Sequence, residues 1–269
     1  MNQEIDFKTT KEYTKKDIKK TQARLMEMAK TITKILDDNK IKYFISFGTL
    51  IGAVRHQGFI PWDDDFDIFL FDDEYDRALE ILRKELPSDL LVHDQKNDPI
   101  YWPYWSRVRD LNSETYSKLW PNDNKYKYRG INFDLYRLEK IKRKDKEKHL
   151  LHHQITYNKR IYKSGLTNLK IYVLQNLKLY PKYIISCLKS RFSNESSNIY
   201  SFIVVFQEID EKVIFPLKKY KFEDMEFWGP NDADKLLKIG YGDYMKIPPY
   251  EKRLPHYSWV KFNTNKNRK

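Results

Sequence analysis

Between Trp62 and Phe71 the chain reads Trp-Asp-Asp-Asp-Phe-Asp-Ile-Phe-Leu-Phe, a crowd of carboxylates at the mouth of an apolar run. Like charges packed this closely repel, and a fold keeps them only if a cation neutralises them. A hard divalent ion is the natural candidate. Mg²⁺ takes oxygen ligands and is usually held through one or two protein carboxylates plus substrate phosphates. Asp65 and Asp67 therefore read as ligands of Mg²⁺, or of Mn²⁺, in the service of phosphate chemistry. The plainer alternative is a solvated acidic turn at Asp63, Asp64 and Asp65. It leaves Asp67 unexplained, because that residue is threaded between Phe66 and Ile68, where an unpaired charge is costly.

These acids need a strand to carry them. Phe66, Ile68, Phe69, Leu70 and Phe71, bounded by Pro61 and by Asp72-Asp73, predict a largely buried one. Alternation then places Asp63, Asp65 and Asp67 on one face, with Asp64 and Phe66 on the other. Upstream, the spacing of Leu25, Met28, Ala29, Ile32, Ile35 and Leu36 predicts an amphipathic helix ending near Asp38-Asn39, packed behind a strand from Tyr43 to Phe47. The charged residues 1–20 are expected to fray before that helix begins. Gly48 lets the backbone turn, and Thr49 is expected to cap a short helix from Leu50 to Arg55. A turn of this kind offers backbone N–H groups and a hydroxyl to a phosphate. Arg55 and His56 follow it, Arg55 either as a bidentate phosphate clamp or as a solvated surface residue.

Gly48-Thr49-Leu50-Ile51-Gly52-Ala53-Val54-Arg55-His56, followed by Gly58-Phe59-Ile60-Pro61-Trp62-Asp63-Asp64-Asp65-Phe66-Asp67-Ile68, resembles the signature of the LicD family of phosphocholine transferases, whose distant animal relatives are fukutin and fukutin-related protein. The resemblance recurs at Gly130-Ile131-Asn132-Phe133-Asp134-Leu135 and at Tyr241-Gly242-Asp243-Tyr244-Met245 with Pro248-Pro249. It touches about residues 20–137 and 214–256. It implies an α/β fold: a nucleotidyltransferase-like core with a small mixed sheet plus helical additions. The activity it implies takes a phospho-substituent from a CDP-linked donor, typically CDP-choline, to a hydroxyl of a surface glycan or teichoic-acid precursor, releasing CMP. In that plan the Gly48-Thr49 turn faces the acidic pair. Asp134 becomes the third acid from a neighbouring strand, a metal ligand or base alongside Asp65 and Asp67. Two alternatives stay open: the same chemistry with a glycerol phosphate or ribitol phosphate donor, and a non-catalytic protein that binds anionic glycan or membrane.

The remaining chain supplies walls. Glu74 to Leu86 predicts a helix with Tyr75, Ala78, Leu79 and Leu82 inward, and Leu90 to His93 a short strand. Tyr101-Trp102-Pro103-Tyr104-Trp105 then leads into a strand carrying Arg107 and Arg109. Trp102, Tyr104 and Trp105 read either as a cage for a quaternary ammonium, with the arginines as a phosphate clamp, or as core filling beside an edge strand. From Lys148 to Asn194 there is no Asp or Glu, while Lys and Arg punctuate an apolar background. That composition fits an interfacial basic helix pair, bent near Pro181, or a solvated hairpin packed on the core, rather than a nucleic-acid arm. His149, His152 and His153 share the first of these helices, but no carboxylate or thiol lies nearby in sequence, so a metal site there is not expected. Tyr200 to Val213 predicts a further helix, Phe215 to Phe227 two short strands, and Pro230 to Ile239 a helix capped by Asn231 or Asp232. The aromatic Gly/Pro segment after it is expected to wall a site.

Composition bounds the class. With 269 residues, 41% hydrophobic and 33% charged, the chain is globular. A net charge of +12 favours anionic partners, whether nucleic acid, an acidic glycan or an anionic membrane face, and the resemblance implies among these an anionic or lipid-linked glycan acceptor rather than nucleic acid. The lone Cys187 excludes an internal disulfide, and no secretory leader or membrane-spanning run is evident, so the cytoplasm is expected, with 148–194 available to touch the inner face of the cell membrane. The expected organisation is a charged segment over 1–22, a catalytic core over 23–139, a basic helical insertion over 140–213, the rest of the core over 214–262, and a disordered basic tail over 263–269.

Overall fold

The computed structural model describes residues 13–202 and 207–262. In chain order the elements are α1 (Lys15–Asp38), β1 (Tyr43–Ile45), α2 (Phe47–His56), β2 (Phe66–Phe71), α3 (Asp72–Glu85), β3 (Leu90–His93), β4 (Ser106–Asp110), β5 (Ser113–Tyr116) and β6 (Asn132–Lys142). Then come α4 (Lys146–Lys163), α5 (Leu169–Phe192), β7 (Asn198–Phe202), β8 (Gln207–Ile209), α6 (Glu211–Ile214), β9 (Lys218–Phe222), β10 (Met225–Gly229), α7 (Ala233–Tyr241) and β11 (Trp259–Phe262).

The central sheet runs β1-β2-β6-β4-β3, with β7 on the far half of β6 and β8 beyond it. Among the described strands only β2 and β6 pair in parallel. The apolar alternation of β2 decides which side of the sheet is core. Phe66 stacks on Phe133 at 4.9 Å and packs edge-on against Phe222 and Phe227 from the β9–β10 hairpin. α1 turns its predicted stripe of Leu25, Met28, Ala29, Ile32 and Leu36 fully inward. The fold is thus the mixed α/β arrangement expected of a nucleotidyltransferase-like core.

Several expectations change. α1 begins at Lys15, not beyond residue 22, because Thr14 accepts from the Asp17 N–H while the Asp17 carboxylate accepts from the Thr14 N–H, closing a capping box. The expected boundary at 22–23 therefore falls inside a helix, and the one at 139–140 falls inside β6. Tyr200 to Val213 is not a helix. Its described part is β7, β8 and the single turn α6, because β6 is long enough to offer Glu139–Lys142 as a pairing edge to β7. The helical addition is consequently α4 and α5 alone. β4 lies between β6 and β3 and is not an edge. α5 runs through Pro181 as one continuous helix. The expected disordered tail at 263–269, like part of the charged segment at 1–22, lies outside the described residues.

Candidate active site

Strand register builds the acidic centre. Asp67 on β2 stands opposite Asp134 on β6, and Asp134 stands opposite Arg107 on β4. The row lies on the sheet face opposite Phe66 and Phe133. Asp65 leaves the turn before β2, and carboxylate oxygens of Asp65, Asp67 and Asp134 converge to within 4.8 Å of one another. These are the three acids that sequence reasoning selected. Asp63 and Asp64 are not on the strand, which starts at Phe66, so the expected two-face alternation begins one residue after the acidic triplet.

α2 supports the acids from behind. Its N-cap is Ser46, and Gly48 and Thr49 lie in its first turn, so Thr49 is not the cap. The Thr49 hydroxyl instead accepts from the Asp67 backbone N–H at 2.9 Å, fixing the start of β2. A Cβ on Gly48 would stand 2.5 Å from Asp63 Oδ2, so only glycine lets that carboxylate abut the helix. Phe47 holds φ at 45°, an unusual conformation for an aromatic, and sends its ring against Phe69, Tyr136 and Phe202.

Two adjoining chambers share Asp65, Trp105, Tyr136 and His256 in their walls. One, about 290 Å³, is lined also by Gly48, Asp63 and Asp67. The other, about 180 Å³, is lined also by Asp134, Arg107, Arg109, Trp102 and Trp120. Arg107 is bound on both sides, its Nε donating to Asp134 at 2.9 Å and its Nη1 to Asp123 at 2.6 Å. Asp134 also accepts from Asn132 Nδ2 at 3.0 Å and from the Tyr136 hydroxyl at 3.3 Å. Arg109 donates to Asn132 Oδ1, to the Gly130 carbonyl and to His93. Both arginines therefore set the cavity floor.

Not every expected residue arrives. The Tyr104 hydroxyl donates to the His153 carbonyl, and its ring joins a different cavity with Glu139 and Arg160. Arg55 donates to the Tyr244 carbonyl and to His56 at the far end of α2, so the structure brings neither residue to the acids. Helix geometry explains this: nearly two turns separate Arg55 from Gly48 and Thr49 in the N-terminal turn that faces the site.

The residue that sequence reasoning missed is His256. Its Nδ1 lies 3.1 Å from Asp64, 3.3 Å from Asp65 and 3.7 Å from Asp63. Asp64, fully buried, also accepts from the backbone N–H groups of His256 and Tyr257 and so latches the C-terminal segment onto the site. The signal was weak: a lone Pro-His-Tyr in an irregular stretch, just beyond the segment ending at Arg253 that was expected to wall a site. The triplet acid Asp64 is thereby a tether, while Asp65 is a ligand candidate.

Electrostatics fit a cation site. Burial, then repulsion from Asp65, pushes the Asp63 and Asp67 carboxyls well above the ordinary carboxylate range. Asp134 is raised by burial and held back by Arg107. Asp65 beside it, working against burial, lifts the His256 imidazole well above its usual value. Asp67 Oδ1 is buried with no hydrogen-bond partner among the described residues. An orphaned oxygen on a carboxylate that converges with two others is what an oxygen-seeking divalent ion would satisfy, so the residues present fit Mg²⁺ or Mn²⁺.

A second cluster corrects an expectation. Glu139, from β6, reaches His149 Nε2 at 2.7 Å and His153 Nε2 at 3.1 Å, so a carboxylate does meet the helix histidines. Sequence distance hid it, because strand pairing brings Glu139 to α4.

Residues 40–171 match the family model described as LicD/FKTN/FKRP, nucleotidyltransferase domain. The chain is 25% identical to the lipopolysaccharide cholinephosphotransferase LicD of Haemophilus influenzae, over 81% of this chain and 87% of that protein. It is 40% identical to the uncharacterised protein RP689 of Rickettsia prowazekii, over 29% of this chain and 36% of that one. With the uncharacterised protein RT0683 of Rickettsia typhi it shares 31% identity, over 58% of this chain and 41% of the relative.

Proposed function

Because this chain belongs to the LicD family, we propose that it is a transferase moving phosphocholine from CDP-choline to a hydroxyl of a cell-surface glycan or teichoic-acid precursor, with release of CMP. The observation that carries the reading is the convergence of Asp65, Asp67 and Asp134 beside a chamber walled by tryptophans. Mg²⁺ or Mn²⁺ held by these three carboxylates would neutralise the donor diphosphate and stabilise the departing CMP. The chain's own residues do the positioning. Arg107 and Asn132 clamp Asp134 Oδ1 and Tyr136 reaches Oδ2, which suits Asp134 to the role of ligand rather than base.

The choline head belongs in the smaller chamber. Cation–π attraction needs a ring face not already spent. Arg107 lies 5.6 Å from the centre of the Trp105 ring, so that ring is partly engaged. Trp102 and Trp120 are the better walls, and Trp120 is a large aromatic left 52% exposed at the cavity rim, which a bound head group would cover. The test is incubation with a panel of CDP-linked donors and Mg²⁺, following CMP by chromatography. Release from CDP-choline alone supports the reading. Release from CDP-glycerol or CDP-ribitol instead transfers it to an alditol phosphate, and titration that detects no nucleotide binding leaves a glycan- or membrane-binding protein.

A further inference from the structure

We propose that α5 is a membrane-docking helix that lies in the interface of an anionic phospholipid bilayer. Its burial is inverted. The seam against α4 is made by Tyr172, Asn176, Leu179, Tyr183, Ser186 and Ser190, spaced alternately by four and three residues, and its buried members are Asn176, Ser186 and Ser190. The outer surface carries the large apolar side chains. Leu177 is 63% exposed, Ile184 59% and Phe192 80%, with Leu174, Ile185 and Leu188 each at least half exposed. A helix packed as an ordinary surface element shows the reverse order.

Charge chooses the occupant. From Lys148 to Asn194 there is no Asp or Glu, and Lys178, Lys182 and Lys189 recur at four and seven residues, forming a stripe along one edge of the apolar surface, with Lys189 also paired to Glu147 at the start of α4 at 3.4 Å. Long lysine stems beside inserted leucines and isoleucines are how a helix lies in the headgroup region of an anionic leaflet. A second copy of this chain would bring the same lysine stripe against itself, and the apolar residues spread over more of the circumference than a two-helix seam uses. No helix among the described residues is long and apolar enough to cross a membrane, so α5 lies in the surface plane. The hairpin is tied to the site: Tyr157 of α4 packs on Trp102 and Tyr104, in the loop that also supplies Trp105. Docking through α5 therefore holds the chambers close to a lipid surface.

The experiment is flotation of the purified full chain with vesicles of phosphatidylglycerol and phosphatidylcholine, against vesicles of phosphatidylcholine alone, at low and high salt. The parent is expected to float with the anionic vesicles and to bind them more weakly as salt rises, because charge attraction is screened over about 8 Å at physiological ionic strength. K178Q/K182Q should weaken binding roughly twenty-fivefold, at about fivefold per lysine. L177S/I184S/L188S, at positions exposed in the fold, should abolish flotation at either salt. Circular dichroism and CMP release with a water-soluble acceptor should match the parent for both variants, so failure of the donor chemistry is read separately. A parent that stays unbound with anionic vesicles, or a serine variant that floats as well as the parent, overturns the proposal. So does sedimentation showing a dimer that the serine variant dissolves, which would place a second copy on this face.

Discussion

Replacing Asp67 by Asn tests the acidic centre without enlarging or emptying it. Asp67 lies within 4.8 Å of carboxylate oxygens on both Asp65 and Asp134. At an effective dielectric of 20, two unit charges at that separation repel by about 3 kcal/mol. The Asp134 share is reduced by Arg107 at 2.9 Å, and the carboxyl can take up a proton instead of bearing the full repulsion, so relief of about 1–3 kcal/mol is expected in the metal-free protein. For a chain of this length each 1 kcal/mol moves the melting temperature by about 2 °C. In EDTA, Asp67→Asn should therefore melt about 2–6 °C above the parent. Saturating Mg²⁺ at a hundredfold over its Kd adds about 2.7 kcal/mol to the parent, or about 5 °C, and little to the variant, so the gap closes or reverses. CMP release should fall by at least about a hundredfold. Differential scanning fluorimetry with and without Mg²⁺, paired with the chromatographic assay, reads all three. A variant that melts several degrees below the parent in EDTA would show the carboxylate to be structural, and an equal Mg²⁺ shift in both proteins would put the ion elsewhere.

Trp120→Leu and Trp102→Leu keep apolar bulk but remove the ring quadrupole. Each should weaken CDP-choline by up to thirtyfold, from a desolvated contact of about 2 kcal/mol, while CMP binding is unchanged; Tyr104→Leu, in its separate cavity, should alter neither, and calorimetry with both ligands decides. Gly48→Ala drives a methyl to within 2.5 Å of Asp63 Oδ2 and should cut turnover while the melting temperature drops by only a few degrees; unchanged turnover would mean that Asp63 moves aside freely. Glu139 gives a pH signature. Burial opposes its charge, yet hydrogen bonds from His149 and His153 hold its pKa down from 4.5 to about 2. A depressed folded value means that its stabilisation is complete above the unfolded value of 4.5 and is lost as pH falls from there towards 2, by a total on the order of 3 kcal/mol. Melting between pH 6 and pH 3 should fall less steeply in Glu139→Gln than in the parent, and parallel curves would remove the pair as the cause.

The sequence announced this site where chemistry and local pattern coincide, and hid it where strand pairing supplies the neighbour. Asp67 was legible because a charge inside Phe66-Asp67-Ile68 conflicts with its apolar surroundings, and Asp134 because the family resemblance asks for a third acid on an adjacent strand. Their registration opposite one another on β2 and β6 is a long-range fact that no window of residues contains. The same limit accounts for Thr49, read as a cap for its own helix but bonded to the Asp67 N–H eighteen residues on, and for Glu139, ten residues and a change of element away from His149. It also accounts for β7, where strand or helix is settled by the open edge of β6 and not by Ile199-Tyr200-Ser201-Phe202 itself. His256 is the extreme case, since nothing local distinguishes it and its role comes from the acidic triplet, with Asp64, its backbone partner, 192 residues earlier. A carboxylate triplet that reads as one motif is therefore three parts in space: Asp63 against Gly48, Asp64 holding the C-terminal segment, and Asp65 turned toward Asp67 and Asp134. That division makes Asp64→Asn distinct from its neighbours, because it should loosen the segment at His256 and Tyr257 while leaving the three converging acids in place.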